Sequence, residues 1–162
     1  MKNIKIGVWL ITIVAVITSV GPYVADWNET HIYNPNWTPH AKFHNGQTMA
    51  FGALLGIISL YFLWFRKEGD KLSNLKVAVI FAGIYWVTQA AALLFPGVAA
   101  IDPEFAANAP SDLLGLPPQL ALDIIFLGCL AVAYLLERRR LRQTEESMSN
   151  PQSLNLSPQA KI

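Results

Sequence analysis

Four long apolar segments alternate with shorter polar connections along this chain. Each segment is close to the ~20 residues that a helix needs to cross about 30 Å of hydrocarbon at 1.5 Å per residue. Because the bilayer core offers backbone groups no hydrogen-bond partners, such segments are expected to be helical. The pattern predicts four transmembrane helices, at about residues 6–24, 44–65, 77–95 and 120–136.

Composition agrees with a membrane protein of one domain. Of the 162 residues, 53% are hydrophobic and only 14% are charged, against about 25% charged in soluble domains. The net charge of +1 gives no basic field for nucleic acid. The single cysteine, Cys129, excludes an intrachain disulfide and a multi-cysteine metal site. We expect a four-span domain over residues 1–142 and a polar, disordered cytoplasmic tail over residues 143–162.

Basic residues lie at alternate ends of the predicted spans. The first and third connections together contain one, Lys42. Cytoplasmic loops carry the excess of lysine and arginine, so the pattern predicts an antiparallel four-helix bundle with both termini cytoplasmic in a bacterial plasma membrane. A cleaved signal peptide is the alternative for the first segment, although its candidate cleavage sites fit poorly. Apart from Lys161 near the C-terminus, the remaining basic residues precede the first span, fill the second connection or closely follow the fourth span: Lys2, Lys5, Arg66, Lys67, Lys71, Lys76, Arg138, Arg139, Arg140 and Arg142.

The loop at residues 31–44, HIYNPNWTPHAKFH, contains all three histidines. Its Thr38-Pro39 pair is a typical helix start, with threonine as the N-cap and proline at the first helical position. If the second helix begins there, His40, His44 and Gln47 share one face of it. The loop therefore predicts a histidine pair at the mouth of the bundle.

A polar layer is predicted below the surface on the histidine side. Thr18, Gln47, Gln89 and Asp123 each lie about 7–12 Å inside the predicted boundary at 1.5 Å per residue. A carboxylate costs ~2.5–3.5 kcal/mol at the centre of a span and less near its end, so Asp123 should face the bundle interior and have a partner. An alternative interpretation is that these groups only hold the helices in register.

The lead hypothesis is an outward-facing cavity for a small lipophilic molecule, with isomerase-like or hydrolase-like acid–base chemistry as an extension. Asp123, His44 and His40 are the candidate catalytic residues, because a buried carboxylate and histidines titrate usefully near neutral pH. A non-enzymatic accessory or transport subunit is the alternative. The candidate ligand-contacting residues are Gln47, Gln89, Trp37 and Tyr85.

Two further interpretations concern metal and partner binding. His31, His40 and His44 are candidate metal ligands, although the glutamate of an H-E-x-x-H motif is missing. The alternative is that the histidines are structural and hold the loop at the membrane surface by hydrogen bonds. A metal ion is the one cofactor that the residues suggest. Gly52 and Gly56 form a G-x-x-x-G motif, which allows close helix approach within the bundle or with a second copy or another membrane protein.

The motif H-x-x-N-P-x-W-x-P-H-A-x-F-H, followed later by F-P-G and D-P-E-F, resembles a family of small four-span bacterial membrane proteins of unknown function. The resemblance covers about residues 5–136 and implies the architecture. By shape alone the chain is also similar to emopamil-binding and sigma-2-receptor-like proteins, whose internal cavities carry carboxylates and bind sterols and lipophilic amines. Their acidic motifs do not align with this sequence, so that resemblance implies no site residue.

Overall fold

The computed structural model describes residues 5–108, 111–113 and 115–149, which are helical apart from turns and one isolated bridge. Within these residues, four helices are long and apolar enough to cross a membrane, which confirms the predicted all-α four-helix architecture. We call the end that carries the loops at residues 27–38 and 93–117 the outer end. The helices are α1 (Ile6–Asp26), α2 (Pro39–Leu60, continued by a π-helical turn at Tyr61–Phe65), α3 (Lys71–Ala92) and α4 (Pro118–Ser149), with a 3-10 helix at Pro103–Asn108.

Side-chain caps determine where two of the helices begin. The Thr38 hydroxyl accepts the backbone N–H of Ala41 at 3.3 Å, and Pro39 is the first residue of α2, as the sequence predicts. The Asp70 carboxylate accepts the backbone N–H of Ser73 at 2.7 Å. Because Asp70 caps α3, this helix begins at Lys71, six residues before its apolar segment.

Two glycines of α2 bring this helix against α1. A Cβ at Gly52 would lie 2.9 Å from the Thr18 carbonyl oxygen, and a Cβ at Gly56 would overlap the Ala15 carbonyl and the Ser19 hydroxyl. The close approach predicted from the G-x-x-x-G motif therefore occurs between two helices of the same chain. A partner helix on this face would have to displace α1.

Thr18 links α1 to α3 inside the bundle. Its hydroxyl lies 2.9 Å from the Val14 carbonyl and 3.3 Å from the Ala82 carbonyl, and it accepts the indole N–H of Trp86 at 2.9 Å. Trp86 in turn packs on Phe126 of α4 with ring centroids 4.4 Å apart. Thr18 is thus an interhelical hydrogen-bonding residue.

The fourth helix is longer than its apolar segment. It continues to Ser149, so the first seven residues of the expected tail, 143–149, are helical. Arginine, glutamine and glutamate are good helix formers, and the next proline after Pro118 is Pro151, so nothing ends the helix at residue 142. The rest of the predicted tail, residues 150–162, lies outside the described residues.

Candidate functional site

The Glu104 carboxylate joins the two loops of the outer end through hydrogen bonds. Asn34, which is fully buried, donates its amide to one oxygen of Glu104 at 2.8 Å, and Asn36 donates to the other oxygen at 2.7 Å. The indole N–H of Trp37 donates to Asp102 at 3.2 Å. Trp37, a candidate ligand contact in the sequence, is therefore part of this loop contact.

A groove of about 470 Å³ lies between α2 and α3 near the outer end. Residues spaced three or four apart share one face of a helix, and each wall of the groove is such a face. Gln47, Tyr85 and Gln89, three of the four predicted ligand-contacting residues, line it together. The full lining is Gln47, Thr48 and Phe51 from α2, and Tyr85, Thr88, Gln89 and Ala92 from α3.

Among the described residues of this groove, the two glutamine amides and the Tyr85 hydroxyl are the polar side-chain groups that remain free to bind. The hydroxyl of Thr48 donates to the carbonyl of His44 at 3.0 Å, and that of Thr88 donates to the carbonyl of Tyr85 at 2.9 Å. Both threonines are therefore satisfied within their own helices. Gln47 is 3.3 Å from a ring nitrogen of His44, and Gln89 makes no side-chain hydrogen bond within the described part of the chain.

His40 and His44 form a pair beside this groove. Their Nε2 atoms are 3.0 Å apart, and both side chains are exposed. The Nδ1 atom of His44 faces the Oε1 atom of Gln47 at 3.3 Å. The predicted histidine pair on one face of α2 thus adjoins the groove through Gln47.

His31 belongs to a different cluster. Its Nε2 atom is 3.7 Å from a carboxylate oxygen of Asp26, and its Nδ1 atom is 2.7 Å from the Thr30 hydroxyl. Asp26 also accepts the amide of Asn45 at 2.7 Å. Among residues 5–108, 111–113 and 115–149, no group of three or more His, Cys, Asp or Glu side chains is placed to hold a metal ion. The structure therefore does not bring His31 together with the other two histidines.

Asp123 of α4 is buried in the helix bundle, with 1% of its surface exposed. Neither carboxylate oxygen has a hydrogen-bond partner in the described part of the chain, although the sequence reasoning expects one. Tyr85 lies within electrostatic range of both Asp26 and Asp123, so this carboxylate is at the same end of the bundle as the groove. Asp123 is nevertheless absent from the groove lining.

The hydrogen bond between Asn34 and Glu104 was not predicted from the sequence. A local signal for Asn34 existed, because an asparagine before proline often accepts the N–H two residues on, and Asn36 donates to Asn34 at 2.8 Å. No local pattern connects Asn34 with a carboxylate 70 residues away. The same holds for the contact between Asp26 and Asn45, which lie on different helices.

A comparison with family models gives one match, to a family of unknown function, DUF6640, over residues 10–147. No curated protein and no solved structure matches the chain. The matched region includes the groove, the histidine pair and both outer loops. It agrees with the expectation of a family without an assigned function.

Proposed function

We propose that this chain, which belongs to the family of unknown function DUF6640, binds a small lipophilic molecule with a polar end in the groove between α2 and α3. The polar end would lie between Gln47 and Gln89, and the apolar remainder would extend along the lipid-facing helix surface. Four apolar helices make the chain compatible with a multi-pass membrane protein.

One observation carries this proposal: two glutamine amides face the same groove from opposite walls. Gln47 is exposed and Gln89 is half-buried, so a molecule in the groove can reach both amides. Gln89 has no partner within the described residues, and Gln47 has only His44. A ligand that donates and accepts hydrogen bonds would supply the missing partners.

The apolar residues around the glutamines support a lipophilic remainder. Phe51 and Ala92 line the groove with them, and 47% of the Phe51 surface is exposed. A second, apolar groove of about 400 Å³ continues along α3 past Ile80 and Gly83. Sites for small molecules are commonly apolar with a few placed polar groups, as here.

The proposal is for binding alone. Asp123, the ionisable group expected to perform acid–base chemistry, is not among the groove residues, and a general acid or base has to be within hydrogen-bond reach of the proton it transfers. Two other titratable groups are closer: Tyr85 lines the groove itself, and His44 adjoins it through Gln47.

We place the groove on the non-cytoplasmic side of the plasma membrane. Basic residues crowd the opposite end of the bundle, at Arg66, Lys67, Lys71 and Lys76, and cytoplasmic loops carry such residues. Cysteine labelling tests this orientation. In a Cys129→Ala background, Glu29→Cys should react with a membrane-impermeant maleimide in intact cells, whereas Lys67→Cys should react only after permeabilisation. The reverse pattern would refute the orientation.

The binding proposal is tested with a dansyl-tagged dodecanamide and the full chain in lipid nanodiscs. Replacing Gln47 and Gln89 together by leucine removes two hydrogen bonds of about 0.5–1.5 kcal/mol each. The affinity measured by fluorescence should therefore fall about 5-fold to 150-fold. Gln143→Leu is the matched control, because this exposed glutamine lies near the far end of α4. Equal affinity of the double variant and the unchanged chain would refute the proposal.

A further inference from the structure

We propose that His40 and His44 form an open two-histidine site for a divalent transition metal ion at the mouth of the groove. The two residues occupy the first two turns of α2, one helical turn apart. Both side chains are exposed, and their Nε2 atoms lie 3.0 Å apart. This proposal does not depend on the ligand proposed for the groove.

The separation of the two nitrogens matches what a metal ion requires. Imidazole nitrogens bind zinc at about 2.0–2.1 Å. Two such nitrogens at angles between 90° and 109° about the metal are then about 2.9–3.4 Å apart. The observed 3.0 Å falls within this interval. An ion that replaces this contact therefore needs no change in the separation of the two nitrogens, although the rings must turn so that both lone pairs point at the ion.

Gln47 orients one of the two ligands. Its Oε1 atom lies 3.3 Å from the Nδ1 atom of His44, so that nitrogen is held as the N–H donor. The lone pair of a neutral His44 is then on Nε2, the atom that faces His40. Metal-binding histidines commonly donate their other ring N–H to an oxygen in this way.

Local packing restricts the two rings further. The ring of Phe43 is stacked on His40, with centroids 6.1 Å apart, and meets the edge of His44 at 5.3 Å. The Thr38 cap and Pro39 fix the start of the helix directly before the pair. A pair of ligands held in position in this way loses less conformational entropy on binding than two free side chains would.

The ligand set indicates which ions the site would take. Within the described ranges no third His, Cys, Asp or Glu joins the pair, so water or an added ligand would complete the coordination. Imidazole suits zinc, nickel and copper, and copper(II) binds most tightly in the general order of divalent affinities. Copper(II) alone is therefore the probe of choice.

The experiment is a copper(II) titration of the full chain in detergent against a competing chelator, followed by electron paramagnetic resonance. We expect one copper(II) per chain and superhyperfine splitting from two imidazole nitrogens. His40→Asn and His44→Asn should each weaken binding at least about tenfold. Both residues are exposed, so the circular dichroism spectrum of each variant should stay unchanged and exclude misfolding as the cause.

His31→Asn is the matched control, because this histidine contacts Asp26 instead of the pair. Its copper affinity should equal that of the unchanged chain. Gln47→Leu should weaken binding about 10-fold to 100-fold, and Gln47→Glu should restore it, since a carboxylate also accepts the Nδ1 proton of His44. The proposal is overturned if no stoichiometric copper binds, or if binding persists unchanged in both His40→Asn and His44→Asn.

Discussion

Replacing Gly56 by alanine should destabilise the bundle, although alanine is the better helix former. Gly56 is buried in α2, and a Cβ there would overlap the Ala15 carbonyl and the Ser19 hydroxyl of α1. Ser19 can change rotamer, whereas the carbonyl of Ala15 belongs to the helix backbone and cannot. The two helices would therefore have to separate before the methyl group fits.

The size of the effect follows from two opposed contributions. Forcing an extra carbon into a packed interface costs about 1–3 kcal/mol. The intrinsic helix preference of alanine over glycine returns about 0.5–1 kcal/mol. Because the Cβ would overlap backbone, the upper part of this cost, about 2–3 kcal/mol, applies, and the free energy of unfolding should fall by about 1–2.5 kcal/mol in Gly56→Ala. Reversible unfolding in mixed detergent micelles, followed by circular dichroism, measures this difference.

Gly46 provides a control in the same helix. A Cβ there meets nothing within 4 Å, so Gly46→Ala keeps only the gain in helix preference and should be neutral or stabilising by up to about 1 kcal/mol. The two substitutions are chemically identical and should have opposite signs. A Gly56→Ala protein as stable as the unchanged chain would refute the contact between α1 and α2.

Three further predictions concern carboxylates. Asp123→Leu should raise the free energy of unfolding, measured as for Gly56→Ala, by about 1–3 kcal/mol, because it removes two buried oxygens that have no hydrogen-bond partner among the described residues. A less stable variant would contradict this and would mean that the carboxylate has a partner. Glu104→Ala should speed amide hydrogen exchange in the loop at residues 27–38, because Asn34 and Asn36 lose their acceptor. Glu29→Ala is the control, since Glu29 is exposed, and it should leave the exchange unchanged. Equal exchange in the two variants would contradict the loop contact. The pKa of Asp70 is lowered from 3.8 because its carboxylate accepts hydrogen bonds from the side chain and backbone of Ser73. The stabilisation by the ionised Asp70 cap is therefore present above pH 3.8 and is lost as the pH falls through the lower pKa of the folded state. In Asp70→Asn the melting temperature, measured as a function of pH, should fall less steeply at acid pH.

Features with a fixed local period were predictable from the sequence. Four apolar segments of spanning length gave four helices. The Thr38-Pro39 start and the shared face of His40, His44 and Gln47 followed from helix geometry alone. Depth predicted a polar layer of Thr18, Gln47, Gln89 and Asp123, because antiparallel neighbours place equal depths side by side; Gln47 and Gln89 of this layer line one groove.

Features that depend on loop closure were not predictable. His31 is nine residues before His40, yet it turns to Asp26 because the intervening loop is folded by Asn34. Depth also says nothing about which way a side chain points around its helix. Asp123 is buried in the bundle interior, as a carboxylate within a span is expected to be, but it does not line the groove of the two glutamines.

Photo-crosslinking in nanodiscs tests the groove most directly. A diazirine-tagged dodecanamide is activated on the full chain, and the modified residues are mapped by mass spectrometry. The groove predicts adducts concentrated around Phe51 and Thr88, and their loss when Gln47 and Gln89 are both leucine. Adducts spread evenly over lipid-exposed positions such as Ile13 and Val132, and unchanged in the double variant, would contradict a binding site between α2 and α3.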